Sequence, residues 1–253
     1  MNSDVELYRR FTYPLNVFML IVSAEEGAVR NLHYGFFESA SESLGEAQER
    51  STRMLFERLR PPPCKILEVG IGLATTLRRL TDAGYDAEGI TPDEHQIEMV
   101  RHLHGEAVRV TCSAFETFEA RAAYDLLLFQ ESSQYIDADV LFSRAGELAP
   151  HVLVIDEFSL VPGMTDGLPE LKTFEAMATK HGFQRTEEVD VSAMAGPTVN
   201  WFMERIPGYR DRLVAELGVT DEQIGQLLES GMRYRSRYES GSYGYRILQY
   251  RRS

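Results

Sequence analysis

Between residues 65 and 156 the apolar positions fall in short runs, separated by stretches of helical periodicity. The runs Lys65–Val69, Ala87–Ile90, Val108–Cys112, Tyr124–Phe129 and His151–Asp156 are rich in β-formers and read as strands. Helices are expected between them, over Thr75–Ala83 and Glu94–His104. Strands spaced by helix-length segments imply right-handed crossovers and a parallel sheet. Pro61-Pro62-Pro63 cannot continue a helix, so it ends a helical segment over Gln48–Leu59. Beyond Pro162 the pattern changes to a helix over Leu168–His181, stopped by Gly182, and then a strand over Phe183–Val191. A long helical region follows from Met194 to about Arg237. After the turn Ser240-Gly241-Ser242, the alternating tail Tyr243–Arg251 reads as a last strand. Leu15–Ala24 is too short to span a bilayer and reads as a helix packed on the core. Asp4 and Glu6 offset Arg9 and Arg10, which argues against a signal peptide. The expected organisation is an N-terminal helical lid (1–60), an α/β core (61–191), a helical cap (192–242) and a final core strand (243–253).

Charge narrows the partners. The 253 residues carry 39 Asp and Glu against 26 Lys and Arg, a net charge of −13, which disfavours DNA or RNA as a general partner. Cys64 and Cys112 form neither a disulfide framework nor a metal-ligand spacing, and they read as two buried thiols in a reducing cytoplasm. No metal constellation is visible. A monomer and a homodimer both remain open, with a small-molecule partner favoured over nucleic acid or a membrane span.

The sharpest local feature is Ile66-Leu67-Glu68-Val69-Gly70-Ile71-Gly72-Leu73-Ala74-Thr75, a buried strand running into two glycines and a helix start. Glycines there let the backbone turn tightly and let a ligand approach without a Cβ in the way. A dinucleotide site would want a third small residue where Thr75 stands, and an acid at the end of the second strand, where Thr91 stands. Glu68, two residues before the first glycine, is placed at the carboxyl edge to orient the loop and an ammonium group.

Glu68-x-Gly70-x-Gly72-x-Ala74 resembles the first motif of class I S-adenosylmethionine (SAM)-dependent methyltransferases, with Ala74 in place of the third glycine. Leu32-His33-Tyr34-Gly35-Phe36-Phe37-Glu38 looks like the HYG(Y/F) segment of a small-molecule branch. That branch includes the tocopherol and sarcosine methyltransferases and the cyclopropane fatty acid synthases. Gly89-Ile90-Thr91 with Gln96, Ser113-Ala114-Phe115-Glu116-Thr117-Phe118 and Gln130-Glu131-Ser132-Ser133-Gln134-Tyr135 are similar to that branch's segments after the second, third and fourth strands. The resemblance implies a Rossmann-like α/β fold of seven mostly parallel strands with an antiparallel last strand, and SAM as cofactor. It implies that Gly70, Gly72 and Glu68 hold the methionine end and that Thr91 and Gln96 bond the ribose. Phe115 would lie on the adenine, with plain core packing an equal alternative, and Glu116 would accept from the adenine amino group or from neighbouring backbone. Gln130 and Glu131 would lie beneath the transferring methyl, and Tyr34, with Tyr13 from the N-terminal helix, would close over the carboxylate.

Methyl transfer from a sulfonium mainly needs proximity, orientation and a dry site, and a base only where the acceptor must lose a proton. Glu131, His33 and Tyr135 are the candidates for that task; Asp156 and Glu157 lie near the same edge or simply end a strand on a solvated loop. His95, His102 and His104 are given no role. Gln134-Tyr135 stands where the cyclopropane synthases carry a Glu-His pair, which favours simple methylation of N, O or C over cyclopropanation. A SAM-fold binding protein without turnover is the alternative. Tyr13, Phe18, Phe36, Trp201 and Phe202 are the candidate walls for a cyclic or aromatic acceptor of secondary metabolism, with core packing the competing explanation. Arg233, Arg235 and Arg237 alternate at i, i+2, i+4, which gives no single helical face and predicts an extended or frayed segment.

Overall fold

A computed structural model describes residues 3–164 and 167–253. Its sheet has seven strands: β1 (Lys65–Val69), β2 (Asp86–Thr91), β3 (Val110–Cys112), β4 (Leu126–Gln130), β5 (His151–Ser159), β6 (Phe183–Asp190) and β7 (Tyr243–Arg252), in the order β3-β2-β1-β4-β5-β7-β6. Only β7 runs antiparallel to its neighbours. Ile66, Leu67, Leu127 and Leu128 are all fully buried, the continuous apolar pattern of central parallel strands covered on both faces. Helices α1 (Ser3–Tyr8), α2 (Leu15–Glu26) and α3 (Leu44–Phe56) precede the sheet, and α4 (Thr75–Asp82), α5 (Glu94–His104), α6 (Ala138–Leu148) and α7 (Leu171–Lys180) lie between strands. The short α8 (Ser192–Ala195), then α9 (Pro197–Arg212) and α10 (Asp221–Glu239), separate β6 from β7.

The chain divides into two compact units. A sheet unit comprises Met54–Ser192 with Ser242–Ser253, and a helical unit comprises Met1–Arg53 with Ala193–Gly241. In the sheet unit one face of the sheet carries the main aromatic core, where Phe142 meets Phe174 at 4.9 Å and Tyr250 at 5.2 Å between ring centroids. On the other face a Cβ at Gly89 would stand 2.3 Å from Ile71 Cγ2 and 2.9 Å from Leu77 Cδ2, so glycine there admits the first loop and α4.

The helical unit joins sequence-distant segments through bonds to backbone groups. Gly35 N–H donates to Thr198 Oγ1, and that hydroxyl donates to the Gly35 carbonyl, both at 3.1 Å. Phe37 N–H donates to the Met194 carbonyl at 2.8 Å. A Cβ on Gly35 would lie 2.6 Å from Ala47 Cβ, so the His33–Phe37 segment passes α3 only as glycine permits.

Several expectations change. The region after Met194 is not one helix: α9 runs into a π-turn over Leu213–Leu217, Gly218 turns left-handed, and Thr220 caps α10 afresh. Arg233, Arg235 and Arg237 are helical, because α10 continues to Glu239 and Arg235 pairs with Glu239 one turn on. Tyr13 lies in the turn before α2, not in a helix. Cys64 is buried but Cys112 is exposed at the end of the edge strand. Asp156 and Glu157 do not end on a solvated loop, since β5 runs on to Ser159 and buries both.

Candidate functional site

Register brings a set of polar groups to one face of the sheet at the carboxyl ends of its parallel strands. Glu68 pairs with Gly89 on one side and Leu128 on the other, so Thr91 and Gln130, each two residues further on, project to the same face as Glu68. Gln130 pairs with Ile155, and Glu157 with Tyr245, which extends that face across β5 to β7. Polar side chains occupy the positions that apolar residues hold lower in the same strands.

The loop after β1 leaves the strand through three left-handed residues, Gly70 at φ 77°, Gly72 at φ 52° and Ala74 at φ 56°. Ser132 holds its start: the hydroxyl donates to the Val69 carbonyl at 2.5 Å, and a Cβ at Gly70 would lie 2.4 Å from Ser132 Cβ. His104, at the end of α5, meets the Leu73 carbonyl through Nε2 at 2.9 Å. This histidine, given no role in the chemistry, thus ties down the loop. Spacing on α5 gave no hint of a contact to a residue 31 positions earlier.

Glu68 is 2% exposed, and its Oε2 has no hydrogen-bond partner among the described residues. Burial pushes its carboxyl up to about 8. Gln130 Oε1 accepts from Thr76 Oγ1 at 3.1 Å, while Gln130 Nε2 is likewise buried and without a partner. An unsatisfied acceptor and an unsatisfied donor thus share one face beside a loop of left-handed backbone. Thr91 Oγ1 donates to Gln96 Oε1 at 2.8 Å and accepts from Asp93 N–H at 3.2 Å, so this pair is brought together at the end of β2.

The segment after β4 is held by acids, the half-buried Glu131 and the buried Asp156. Glu131 takes a left-handed φ of 55°, uncommon for a residue with a side chain, and accepts at Oε1 from the Tyr245 hydroxyl at 2.5 Å. Tyr245 is fully buried, and burial followed by the Glu131 charge holds its phenol well above the ordinary range. On the opposite face Asp156 accepts from Ser133 Oγ at 2.7 Å, Gln134 N–H at 3.1 Å, Gln134 Nε2 at 3.0 Å and Glu157 N–H at 2.9 Å. Burial pushes Asp156 up to about 6 despite these donors. Tyr135, at the end of that turn, is 81% exposed.

The remaining expected residues are placed differently. Phe115 is buried in the main core, edge-on to Phe129 at 5.3 Å, so packing occupies its ring, while Glu116 beside it is exposed. In the helical unit, His33 is buried with Nδ1 donating to the Tyr34 carbonyl at 2.9 Å and Nε2 lying 3.4 Å from Thr52 Oγ1. Both ring nitrogens are thereby engaged in holding the segment. The Tyr13 hydroxyl donates to the Gln223 carbonyl at 2.6 Å, and Phe36 is fully buried. Phe18 and Phe202 meet at 4.6 Å, Trp201 packs edge-on to Phe202 at 4.9 Å, and the Arg205 guanidinium covers Trp201 at 4.0 Å. Sequence reasoning missed Ser132, Thr76, His104 and Tyr245. Each acts through a contact far away in the chain.

Among the described residues no group of His, Cys, Asp or Glu could hold a metal ion, and no helix is long and apolar enough to cross a membrane.

No protein-family model matches the sequence, and no curated protein matches it. Solved structures do match in fold. The cyclopropane synthase MmaA2 from Mycobacterium tuberculosis is similar with a TM-score of 0.77 at 18% identity, over 99% of this chain and 95% of that one. The 4+2 cyclase SpnF is similar with a TM-score of 0.78 at 18% identity, over 99% and 95%. The geranyl diphosphate C-methyltransferase from Streptomyces coelicolor A3(2), solved with magnesium, geranyl diphosphate and S-adenosylhomocysteine, is similar with a TM-score of 0.65 at 15% identity, over 87% and 91%. The fold is that of the class I methyltransferases. Its structural neighbours include SAM-dependent methyltransferases and cyclopropane synthases.

Proposed function

We propose that the chain binds SAM at the Glu68–Ala74 loop and transfers its methyl group to N, O or C of a small acceptor. The observation that carries this reading is the buried Glu68 carboxylate with an unpartnered oxygen, beside the left-handed Gly70–Ala74 turn on a class I fold. A nicotinamide cofactor fits less well, because β2 ends in Thr91 where an acid would meet a ribose.

The residues present suit the cofactor's groups. Glu68 would meet its ammonium group, Gly70 and Gly72 would pass its methionine end, and Gln130 Nε2 offers a donor on the same face. Thr91 and Gln96 are neutral partners for the ribose hydroxyls. When bound, SAM supplies a methyl group made electrophilic by its sulfonium. The chain's own share is orientation and exclusion of water, together worth many orders of magnitude in effective concentration. Where the acceptor carries a proton, Glu131 is the group to receive it, its carboxylate held in place by Tyr245. His33 is assigned to packing. Acceptor selection is assigned to the helical unit, whose Phe18, Trp201 and Phe202 offer apolar ring surface.

The test is calorimetric titration with S-adenosylhomocysteine, with NAD as control. One site per chain, weakened by Gly72→Arg and absent for NAD, is expected. No saturable binding would remove the reading. A 4+2 cyclase of the same fold makes binding and turnover separate questions. Formation of S-adenosylhomocysteine from SAM with a panel of small cyclic acceptors decides between methyl transfer and binding without turnover.

A further inference from the structure

A second polar cavity lies at the opposite end of the sheet. It has a volume of about 210 Å³ and is lined by Arg58, Arg60 and Arg251 together with Cys64, Asp125 and His151. Cys64 precedes β1, His151 opens β5 and Arg251 nearly closes the antiparallel β7, so the cavity sits at the amino ends of the parallel strands. Six residues along β5 from His151 to Glu157 put it roughly 20 Å from the polar face described above.

The lining acid Asp125 and the neighbouring Glu187 already accept hydrogen bonds. Asp125 Oδ2 accepts from Lys65 N–H at 2.7 Å, and Glu187 accepts from Arg58 at 3.0 Å and from Gln249 at 2.5 Å. The bases are not fully used. Arg58 Nε is buried without a hydrogen-bond partner, and the Arg251 guanidinium, unlike its backbone in the β7 ladder, has no hydrogen-bond or ion-pair partner among the described residues. Arg60 has only a neutral partner among the described residues, donating to His151 Nε2 at 2.5 Å, which fixes the imidazole as the neutral tautomer with its proton on Nδ1. Burial, then the Arg60 and Arg251 charges, hold His151 below the usual imidazole range, against the opposing pull of Asp125. In a chain of net charge −13, three guanidinium groups set against the Asp125 and Glu187 carboxylates leave a local positive excess around one hollow.

We propose that this cavity is a binding site for a tetrahedral oxyanion, free phosphate or the phosphate group of a small metabolite, held by Arg58, Arg60 and Arg251. Planar guanidinium donors match the paired oxygens of such an anion. The volume holds a single group of that size with a few waters. The site is separate from the SAM reading and does not depend on it. Occupancy raises the proton affinity of His151, because a dianion offsets the guanidinium charges that add to burial in holding it neutral.

The test uses the full chain and inorganic sulfate, whose charge is constant between pH 5 and 8, at an ionic strength fixed with sodium chloride. Calorimetry is expected to give saturable binding at one site per chain. Arg60→Ala and Arg251→Ala should each weaken it about tenfold or more. Arg212→Ala, which removes a surface pair with Glu216 far along the chain, should leave it unchanged. The His151 ring proton, followed by NMR, should titrate at higher pH with sulfate than without. Both alanine variants alter exposed residues, and their melting temperatures without sulfate report on folding. Should either melt lower, the charge-conserving Arg251→Lys is read instead, with binding weakened but retained. Linear, unsaturable heats, or affinity unchanged in both alanine variants, would overturn the proposal. Inorganic phosphate and glycerol 3-phosphate then separate the sources: tighter binding of the monoester assigns the site to a phosphorylated metabolite, and tighter binding of the free ion to phosphate itself.

Discussion

Glu68 couples stability and binding through one proton. Its carboxyl stands near 8 in the folded chain against an ordinary 4.5, because burial penalises the charge. A raised folded-state value means that Glu68 stabilises fully below about pH 4.5 and that this contribution is lost as pH rises through 8. Across that window the loss is on the order of 5 kcal/mol, a large share of the stability of an ordinary domain. Glu68→Gln removes the titration, so the variant should melt at or above the parent at pH 8 and show a flatter pH dependence. The same substitution removes the partner for an ammonium group. Its affinity for S-adenosylhomocysteine should fall at least about tenfold. Parent binding at pH 7 should release a proton, measured by calorimetry in buffers of different ionisation enthalpy, and the Gln variant should release none. Equal affinity in parent and variant would separate Glu68 from the ligand.

Elements are held by groups that read as unrelated in the sequence. The turn after β4 hangs on Asp156, whose two oxygens accept four bonds, from Ser133, Gln134 and Glu157. Asp156→Asn keeps one acceptor and sets an amide against the remaining donors, so a loss of about 1–3 kcal/mol is expected in denaturant unfolding. In the helical unit Thr198→Val removes both bonds to Gly35, and about 1–2 kcal/mol should go with it, seen as faster proteolysis within residues 193–241. The alternation of strands and helices was legible because central strands are buried on both faces, and β1 and α5 fall on the residues that their patterns predict. The Gly70 turn was legible because only backbone freedom explains its residues. The Glu131–Tyr245 bond was not, since it spans 114 positions and Tyr245 reads simply as an apolar strand residue. Phe115 was not decided by the sequence for a related reason: an aromatic at a loop start fits a ring-stacking role and a core role equally until the packing is known, and its ring packs against Phe129. The arginines of α10 misled because charges on an exposed helix need no single face.

At the scale of the molecule, the chain crosses between its two units three times, and the groups assigned to the cofactor, Tyr34 and Tyr13 apart, sit in only one of them. Glu68, Gly70, Gly72, Thr91, Gln96 and Gln130 all belong to the sheet unit. The crossing after β6 is short to bridge: Asp190 pairs with Arg246 in the antiparallel ladder, and Ser192 Oγ accepts from Tyr245 N–H at 2.9 Å. A few glycines joining Ser192 to Ser242 should therefore close β6 and β7 as a hairpin, because antiparallel neighbours need only a tight turn. A chain of residues 54–192 so linked to 242–253 keeps the seven-stranded sheet and the main aromatic core. It should give a cooperative melt and bind S-adenosylhomocysteine within about tenfold of the full chain, a difference of 1.4 kcal/mol or less. A folded product that does not bind would move part of the cofactor's support to the helical unit, with Tyr34 the first residue to substitute. Binding that survives makes the sheet unit the cofactor module and leaves the 49 residues from Ala193 to Gly241, with the first 53, as the part free to vary with the acceptor.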